Sequence, residues 1–156
     1  MSTNAQRPAA LVTGAASGIG KSVTLALARA GYDVAINYSS SDAAARATAA
    51  EAVRLGARAV IEKCDVSDEV AVRRMLKSVE SSFGRLDVLV NNAGTTAPWK
   101  PKDLESLSLD DWDRVFAVNV RGLFQVTRAA VPMLRAAKGC IVNTASIVGL
   151  RPGPQP

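Results

Sequence analysis

The stretch that decides the fold is Thr13-Gly14-Ala15-Ala16-Ser17-Gly18-Ile19-Gly20. It follows the short apolar run Ala9–Val12, which is typical of a buried strand, and it precedes apolar residues at helical spacing. Glycines between a strand and a helix let the backbone approach a pyrophosphate closely, while the helix N-terminus supplies free amides and the positive end of a dipole. A tight connection without a ligand is the alternative, because the glycine spacing differs from G-x-G-x-x-G. The setting between strand and helix favours a dinucleotide phosphate site.

Apolar runs and helical patterns alternate along the rest of the chain. Further strands are predicted over Val34–Ile36, Ala57–Ile61, Leu86–Val90 and Cys140–Asn143. Helices are predicted over Ile19–Ala30, Ala43–Leu55, from an N-cap at Ser67 to Phe83, and from about Ser108 to Ala137. Continuous apolar strands separated by helices predict a doubly wound parallel α/β sheet of Rossmann type. We expect one domain over residues 1–156, with residues 1–8 flexible and residues 151–156 in a loop.

The composition argues against several classes of protein. Histidine is absent, so a zinc site or a serine–histidine hydrolase is not expected. The net charge is +5, but the basic residues are scattered, which favours an anionic small molecule over nucleic acid as partner. Without a long apolar run or a signal-like N-terminus, we expect a cytoplasmic protein with no membrane span. Cys64 and Cys140 adjoin apolar runs and are predicted to be buried free thiols.

Four further motifs follow the glycine-rich turn. Cys64-Asp65-Val66 comes after the third strand and Asn91-Asn92-Ala93-Gly94 ends the fourth. Asn119 lies in the last helix, and Asn143-Thr144-Ala145-Ser146 ends the fifth strand. With the T-G-x-x-x-G-x-G turn, this order resembles the short-chain dehydrogenase/reductase family over nearly the whole chain, and within it the 3-oxoacyl-carrier-protein reductase-like members. The resemblance implies an oxidoreductase that transfers hydride between a nicotinamide cofactor and a carbonyl or alcohol substrate. A non-catalytic nucleotide-binding module or an inactive fragment is the alternative.

The resemblance also implies roles for individual residues. Cofactor binding is implied for Gly14, Ser17, Gly18, Ile19, Gly20, Tyr38, Ser39, Ser40, Asp65, Val66, Asn92, Ala93 and Gly94. Ser146 would polarise the substrate oxygen, and Asn119 would order a water in the proton relay. Asp65 would accept a hydrogen bond from the adenine amine, with helix capping near Ser67 as its alternative. The alternatives are turn chemistry for Asn92 and a plain strand-end hydroxyl for Ser146.

One part of the family pattern is not among these residues. The family's proton donor is a tyrosine in a Y-x-x-x-K motif about 13 residues after the serine, which falls just beyond Pro156. Tyr32 and Tyr38 flank the second strand instead. We therefore expect residues 1–156 to lack the catalytic tyrosine and lysine and the last strands, and to be inactive alone. Trp99 and the prolines near it either border the substrate pocket or fill a loop.

The end of the second strand bears on the choice of cofactor. It reads Ile36-Asn37-Tyr38-Ser39-Ser40-Ser41, with Tyr38 about where an NAD enzyme places an acid. No carboxylate in this stretch repels a 2′-phosphate, and three serine hydroxyls can hydrogen-bond it, although no arginine clamps it. NADP(H) is therefore predicted as the preferred cofactor, with NAD(H) as the alternative.

The last helix carries more apolar side chains than one sheet face can cover. They surround most of its circumference between Val115 and Val131. A second buried face predicts a homodimer or homotetramer that associates through this helix.

Overall fold

A computed structural model of the chain describes residues 7–97 and 103–151. The strands are β1 (Ala9–Val12), β2 (Asp33–Tyr38), β3 (Ala59–Lys63), β4 (Val88–Asn91) and β5 (Cys140–Asn143). The α-helices are α1 (Gly18–Arg29), α2 (Asp42–Arg54), α3 (Glu69–Phe83), α4 (Leu109–Phe116) and α5 (Leu123–Ala137), with short 3-10 turns at Leu104–Ser106 and Ile147–Gly149. All predicted elements are present, although several ends move by one or two residues. Trp99 and residues 1–6 and 152–156 lie outside the described residues.

The strands form one parallel sheet in the order β3-β2-β1-β4-β5. The connections reverse direction beside β1, where β2 lies on one side and β4 on the other. In such a sheet, ligands bind in the crevice outside the carboxyl ends of the strands at this switch point. The predicted doubly wound α/β fold is confirmed, and β3 and β5 are the two edge strands within the described part of the chain.

Helices cover both faces of the sheet and divide the core in two. On one face, Leu11 and Leu89 belong to a buried cluster with Val79 of α3 and Val126 of α5. The opposite cluster contains Val12, Val34 and Ile36 of the strands together with Leu25, Ala28, Ala45, Ala49 and Ala52 of α1 and α2. Fully buried strands explain why the apolar runs in the sequence are continuous rather than alternating.

The N-cap of α3 differs from the predicted one. Asp68, not Ser67, caps the helix, because its carboxylate accepts hydrogen bonds from the backbone amides of Val70 and Ala71 at 2.9 and 3.1 Å. Ser67 lies one residue too early to reach these amides. Its own amide and hydroxyl donate to Asp65 instead.

The predicted last helix begins at the expected cap but is not regular throughout. The Ser108 hydroxyl accepts from the amide of Asp111 at 3.0 Å, as its position predicts. Between α4 and α5, residues Ala117–Gly122 form a π-helical segment, which no pattern in the sequence predicts. Gly122 packs so closely on Val66 that an added Cβ would lie 2.7 Å from Val66 Cγ2. The segment therefore seats the helix against the loop that follows β3.

The same helix leaves apolar side chains uncovered. Phe116 is 47% exposed, and Val120 and Phe124 are each 57% exposed. The expectation that one sheet face cannot cover them is thus confirmed, whereas a partner subunit on this face stays a prediction. Within the described ranges, no helix is long and apolar enough to cross a membrane.

The two cysteines have different environments. Cys64 is buried, and burial, reinforced by the nearby charge of Asp65, raises its pKa to about 11. Cys140 is exposed, so its predicted burial was wrong. The reason is its position on the edge strand β5, all four residues of which are exposed, whereas α5 packs on β4.

Candidate functional site

The glycine-rich turn after β1 has room for no side chain at two of its positions. Gly14 has a φ of +63°, and an added Cβ would lie 3.0 Å from the Cα of Ala93. At Gly20, an added Cβ would lie 2.2 Å from the carbonyl oxygen of Gly14. The turn therefore needs glycine both for its left-handed backbone and for its close contact with the segment after β4.

The N-terminus of α1 opens onto this turn without a side-chain cap. Ser17 is the N-cap residue, but its hydroxyl makes no capping hydrogen bond, and the first turn holds no acidic residue. The amides of residues 18–20 have no acceptor within the helix, because the helical ladder begins with Lys21 donating to Ser17. Free amides at the positive end of a 12-residue helix are suited to bind an anionic group.

A single hydroxyl joins the turn to the segment after β4. Thr13 Oγ1 accepts hydrogen bonds from the amides of Asn92 and Ala93, both at 2.9 Å, and donates to the carbonyl oxygen of Val90. In return, Asn92 Nδ2 donates to the carbonyl oxygens of Thr13 and Gly14 at 3.0 and 3.3 Å. These bonds fix residues 92–94 over the glycine-rich turn.

Asn37 fixes the other side of the turn. Its Oδ1 accepts from the amide of Gly14 at 3.3 Å, and its Nδ2 donates to the carbonyl oxygens of Glu62 and Cys64 at 3.2 and 2.9 Å. The side chain is buried, with 1% exposure. One amide thus ties together the carboxyl ends of β1, β2 and β3.

Two adjoining cavities run along this end of the sheet. The larger, of about 370 Å³, is lined by Gly14, Ala16, Ser17, Ile19, Tyr38, Ser39, Ser40, Ser41, Asn92, Ala93 and Gly94. The smaller, of about 150 Å³, shares Gly14, Ser39, Ala93 and Gly94 with it and adds Asn37, Cys64, Asp65, Val66, Thr95, Arg114 and Val118. The predicted cofactor residues therefore line one continuous cleft, except Gly18 and Gly20, which belong to the turn beside it.

Asp65 lies in the smaller cavity and already has protein partners on both carboxylate oxygens. Oδ1 accepts from the amide and hydroxyl of Ser67 at 2.9 and 2.7 Å, and Oδ2 accepts from Arg114 Nη1 at 2.8 Å. Partial burial alone would raise the pKa of Asp65, but the hydrogen bonds from Ser67 and Arg114 outweigh it and lower the pKa. The local contact to Ser67 that was the alternative for Asp65 is therefore present. The Asp65 side chain is 37% exposed to solvent.

A carboxylate lies beside the end of β2, although the stretch Tyr38–Ser41 itself contains none. The Tyr38 hydroxyl donates to Asp42 Oδ1 at 2.5 Å, and Arg46 Nε donates to Asp42 Oδ2 at 2.6 Å. The stretch itself contains no carboxylate, as the sequence shows, but the space beside it does. Asp42, the first residue of α2, places a carboxylate beside the end of β2, and Arg46, one helical turn later, neutralises its charge.

The two predicted catalytic residues lie at the same edge of the sheet but share no hydrogen bond in the described part of the chain. Asn119 Oδ1 accepts from the Thr95 amide at 2.8 Å, and Asn119 Nδ2 donates to the Thr95 carbonyl oxygen at 2.9 Å. Ser146 is exposed at the start of the turn after β5, where its hydroxyl accepts a long 3.4 Å hydrogen bond from Val148. Thr144, in the same loop, donates to Asn92 Oδ1 at 3.3 Å.

Comparison with known proteins assigns the family. The family model for short chain dehydrogenases matches residues 8–156. The chain belongs to the short-chain dehydrogenase family. A 3-oxoacyl-[acyl-carrier-protein] reductase of Staphylococcus aureus is 43% identical over 141 residues, which cover 90% of this chain and 56% of the relative. A 3-oxoacyl-[acyl-carrier-protein] reductase of Synechocystis is 40% identical over 146 residues, covering 93% and 58%. The chain thus spans less than two thirds of the length of these curated relatives.

Solved structures of this family superpose closely on the chain. A short chain dehydrogenase of Burkholderia cenocepacia in complex with NADP has a TM-score of 0.86 at 42% identity, covering 92% of this chain and 57% of that one. A 3-oxoacyl-[acyl-carrier protein] reductase of Brucella melitensis in complex with NAD has a TM-score of 0.85 at 34% identity, covering 96% and 59%.

Three residues that shape the cleft of this short-chain dehydrogenase were not among the predicted site residues. Thr13 and Asn37 are polar residues at the ends of apolar strands, and this position is the signal that could have identified them. Arg114 is different, because it reaches Asp65 from α4, 49 residues away in the sequence. No local pattern predicts such a contact.

Proposed function

We propose that the protein is an oxidoreductase that prefers NADP(H) and transfers hydride between this cofactor and a carbonyl or alcohol substrate. The observation that carries the proposal is the glycine-rich turn. It has no room for a side chain at Gly14 or Gly20, and the free amides at the start of α1 face the cleft beside it. The structures of relatives with NADP and NAD support it. When bound, the nicotinamide supplies or accepts the hydride.

The residues of the cleft fit the parts of such a cofactor. The amides of residues 18–20 would hold the pyrophosphate, and Asp65 with Val66 would border the adenine. Ser39, Ser40 and Ser41 would surround the 2′-phosphate, which needs hydrogen-bond donors. Ala93 and Gly94 would let the nicotinamide ribose pass over the backbone. The cavity next to the turn, about 370 Å³, is large enough for part of a dinucleotide but not for the whole, which agrees with a cofactor extended along both cavities.

Ser146 and Asn119 would act on the substrate side. The Ser146 hydroxyl has one long hydrogen bond as acceptor, so its proton is available to polarise a substrate oxygen. Both polar atoms of the Asn119 side chain are occupied by Thr95. Each of these two atoms can make one more hydrogen bond, through which a water of the proton relay would bind. The π-helical segment that contains Asn119 is a kind of irregularity common at functional sites.

Neither tyrosine of the chain is placed to serve as the proton donor. Tyr32 precedes β2 at the amino end of the sheet, opposite the cleft. Tyr38 lies at the carboxyl end, but its hydroxyl is bonded to Asp42, and β1 and β4 separate its strand from β5 and Ser146. We propose that a tyrosine and lysine outside residues 1–156 complete the site, so that the 156 residues alone bind cofactor without turnover.

The proposed substrate is a ketone or alcohol, and the names of the relatives favour a 3-oxoacyl thioester among ketones. We also propose that the complete protein is a homodimer or homotetramer. The exposed residues Phe116, Val120 and Phe124 support an association through the long helix. Light scattering that reports a monomer at micromolar concentration would reject this assembly.

A fluorescence titration tests the cofactor proposal directly. The protein is titrated with NADPH and with NADH, and the dissociation constants are taken from the change in nicotinamide emission. Tighter binding of NADPH is expected. Equal or tighter binding of NADH would reject the preference, and binding of neither would reject the function.

A further inference from the structure

The loop that joins β3 to α3 is held by residues of α4, the π-helical segment and α5. Gly122 packs so closely on Val66 that an added Cβ would lie 2.7 Å from Val66 Cγ2. Gln125 Nε2 donates to the carbonyl oxygen of Val66 at 2.9 Å. Arg114 Nη1 donates to Asp65 Oδ2 at 2.8 Å. Of these contacts, only that of Arg114 is a hydrogen bond to a side chain of the cleft.

Asp65, Ser67 and Arg114 form a closed set of hydrogen bonds. The amide and hydroxyl of Ser67 donate to Asp65 Oδ1, while Arg114 Nη1 donates to Asp65 Oδ2 and, at 3.2 Å, to the hydroxyl oxygen of Ser67. A carboxylate accepts about four hydrogen bonds, about two on each oxygen. Within the described part of the chain, Oδ1 is therefore fully used, whereas Oδ2 retains one acceptor position. Because both oxygens are held, this position has a fixed direction.

The fixed acceptor lies in the cavity proposed for the adenine. Asp65 and Arg114 both line the smaller cavity. Partial burial raises the pKa of Asp65, but the hydrogen bonds from Ser67 and Arg114 outweigh burial and lower the pKa, so the carboxylate is ionised at neutral pH. Adenine carries an exocyclic amine, which is a hydrogen-bond donor. An aligned, ionised acceptor can therefore distinguish adenine from a base that has an oxygen in place of this amine.

We propose that Arg114 is a positioning residue that makes the site selective for adenine, by holding Asp65 Oδ2 where it accepts from the exocyclic amine. This inference rests on the proposed function. Hypoxanthine has a carbonyl oxygen in place of the amine and an N–H at the adjoining ring nitrogen. A carboxylate fixed toward the amine position faces the hypoxanthine oxygen with no proton between them. A carboxylate held only by Ser67 can turn and accept from the ring N–H, so it tolerates both bases.

The test measures, by calorimetry, how tightly the full-length protein binds NADP⁺ and its analogue with hypoxanthine in place of adenine. The parent is expected to prefer NADP⁺ about tenfold, which corresponds to one hydrogen bond to a charged acceptor. Arg114→Gln is expected to reduce this preference about threefold, within the range for an exposed ion pair. The control is Arg135→Gln, because Arg135 is an exposed arginine in the last turn of α5, and it should leave the preference unchanged. Both nucleotides are measured on one preparation, so a change in the folded fraction does not alter their ratio.

A second background tests whether Arg114 acts through Asp65. Asp65→Ala removes the acceptor, so it should lower the preference for adenine. Adding Arg114→Gln to Asp65→Ala should then leave the preference where Asp65→Ala alone puts it. A further change would show that Arg114 contacts the base directly, and it would overturn the positioning role.

The outcomes separate this inference from the proposed function. If NADP⁺ binds the parent but Arg114→Gln behaves like Arg135→Gln, the inference is overturned and the proposed function stands. Equal losses for the two nucleotides also overturn it, because they indicate a structural role. A parent that binds both bases equally well overturns it as well. If neither nucleotide binds the parent, the proposed function fails and the inference fails with it.

Discussion

Replacing Thr13 by valine tests the hydrogen bonds that hold the cleft together. Thr13 is 2% exposed, and valine has nearly its shape but no hydroxyl. The substitution leaves the amides of Asn92 and Ala93 without the acceptor that each now has at 2.9 Å. An unsatisfied buried donor costs about 1–3 kcal/mol, so the pair should cost about 2–4 kcal/mol after partial relaxation. That is a large part of the roughly 5–15 kcal/mol by which most domains are stable.

Urea unfolding followed by circular dichroism measures the effect. With a slope of about 2 kcal/mol per molar urea, the midpoint of Thr13→Val should fall by about 1–2 M. The control is Thr13→Ser, which keeps the hydroxyl and loses one methyl group, at a cost of about 1 kcal/mol. NADPH binding should weaken in the valine variant and persist in the serine variant. If the two variants unfold at the same urea concentration, the hydroxyl is not what fixes residues 92–94, and the account of the cleft is wrong.

Three other predictions follow from single contacts. Gly20→Ala places a Cβ 2.2 Å from a backbone oxygen, so it should lose about 3 kcal/mol of stability and bind NADPH at least about tenfold more weakly. Gly149→Ala is the control, because Gly149 has open space around it, and it should change neither stability nor NADPH binding. Equal behaviour of the two variants would contradict the packing described at Gly20. Iodoacetamide at pH 8 should label the exposed Cys140 rapidly. It should label Cys64, which is buried and has a pKa of about 11, only after unfolding. Mass spectrometry that shows the reverse order of labelling would refute this prediction. Asp68→Ala should cost about 1 kcal/mol in thermal unfolding and Asp68→Asn much less, whereas equal losses would show that capping is not the cause.

The elements that the sequence predicts well are those with local signals. The central strands β1, β2 and β4 are buried on both faces and so appear as apolar runs. The glycine turn is visible because a Cβ at Gly14 or Gly20 has no room. Cap positions are less certain. Ser67 and Asp68 are both good capping residues, and only the backbone path decides that Asp68 reaches the amides of Val70 and Ala71.

Contacts between distant segments have no such signal. The ion pair between Asp65 and Arg114 joins residues on different elements, and neither flanking sequence indicates the other. The π-helical segment ends at Gly122, whose close contact with Val66 is known only once the helix is placed on the sheet. Cys140 shows the same limitation, because an apolar run cannot reveal whether its strand lies at the centre or at the edge.

A crystal structure of the protein with NADP⁺ tests the central claim most directly. We expect pyrophosphate oxygens within about 3 Å of the amides of residues 18–20, the usual N–H···O distance. We also expect the 2′-phosphate among Ser39, Ser40 and Ser41, and the adenine beside Asp65. NADP⁺ bound away from the glycine-rich turn would contradict the account, as would an empty cleft in crystals grown with saturating NADP⁺.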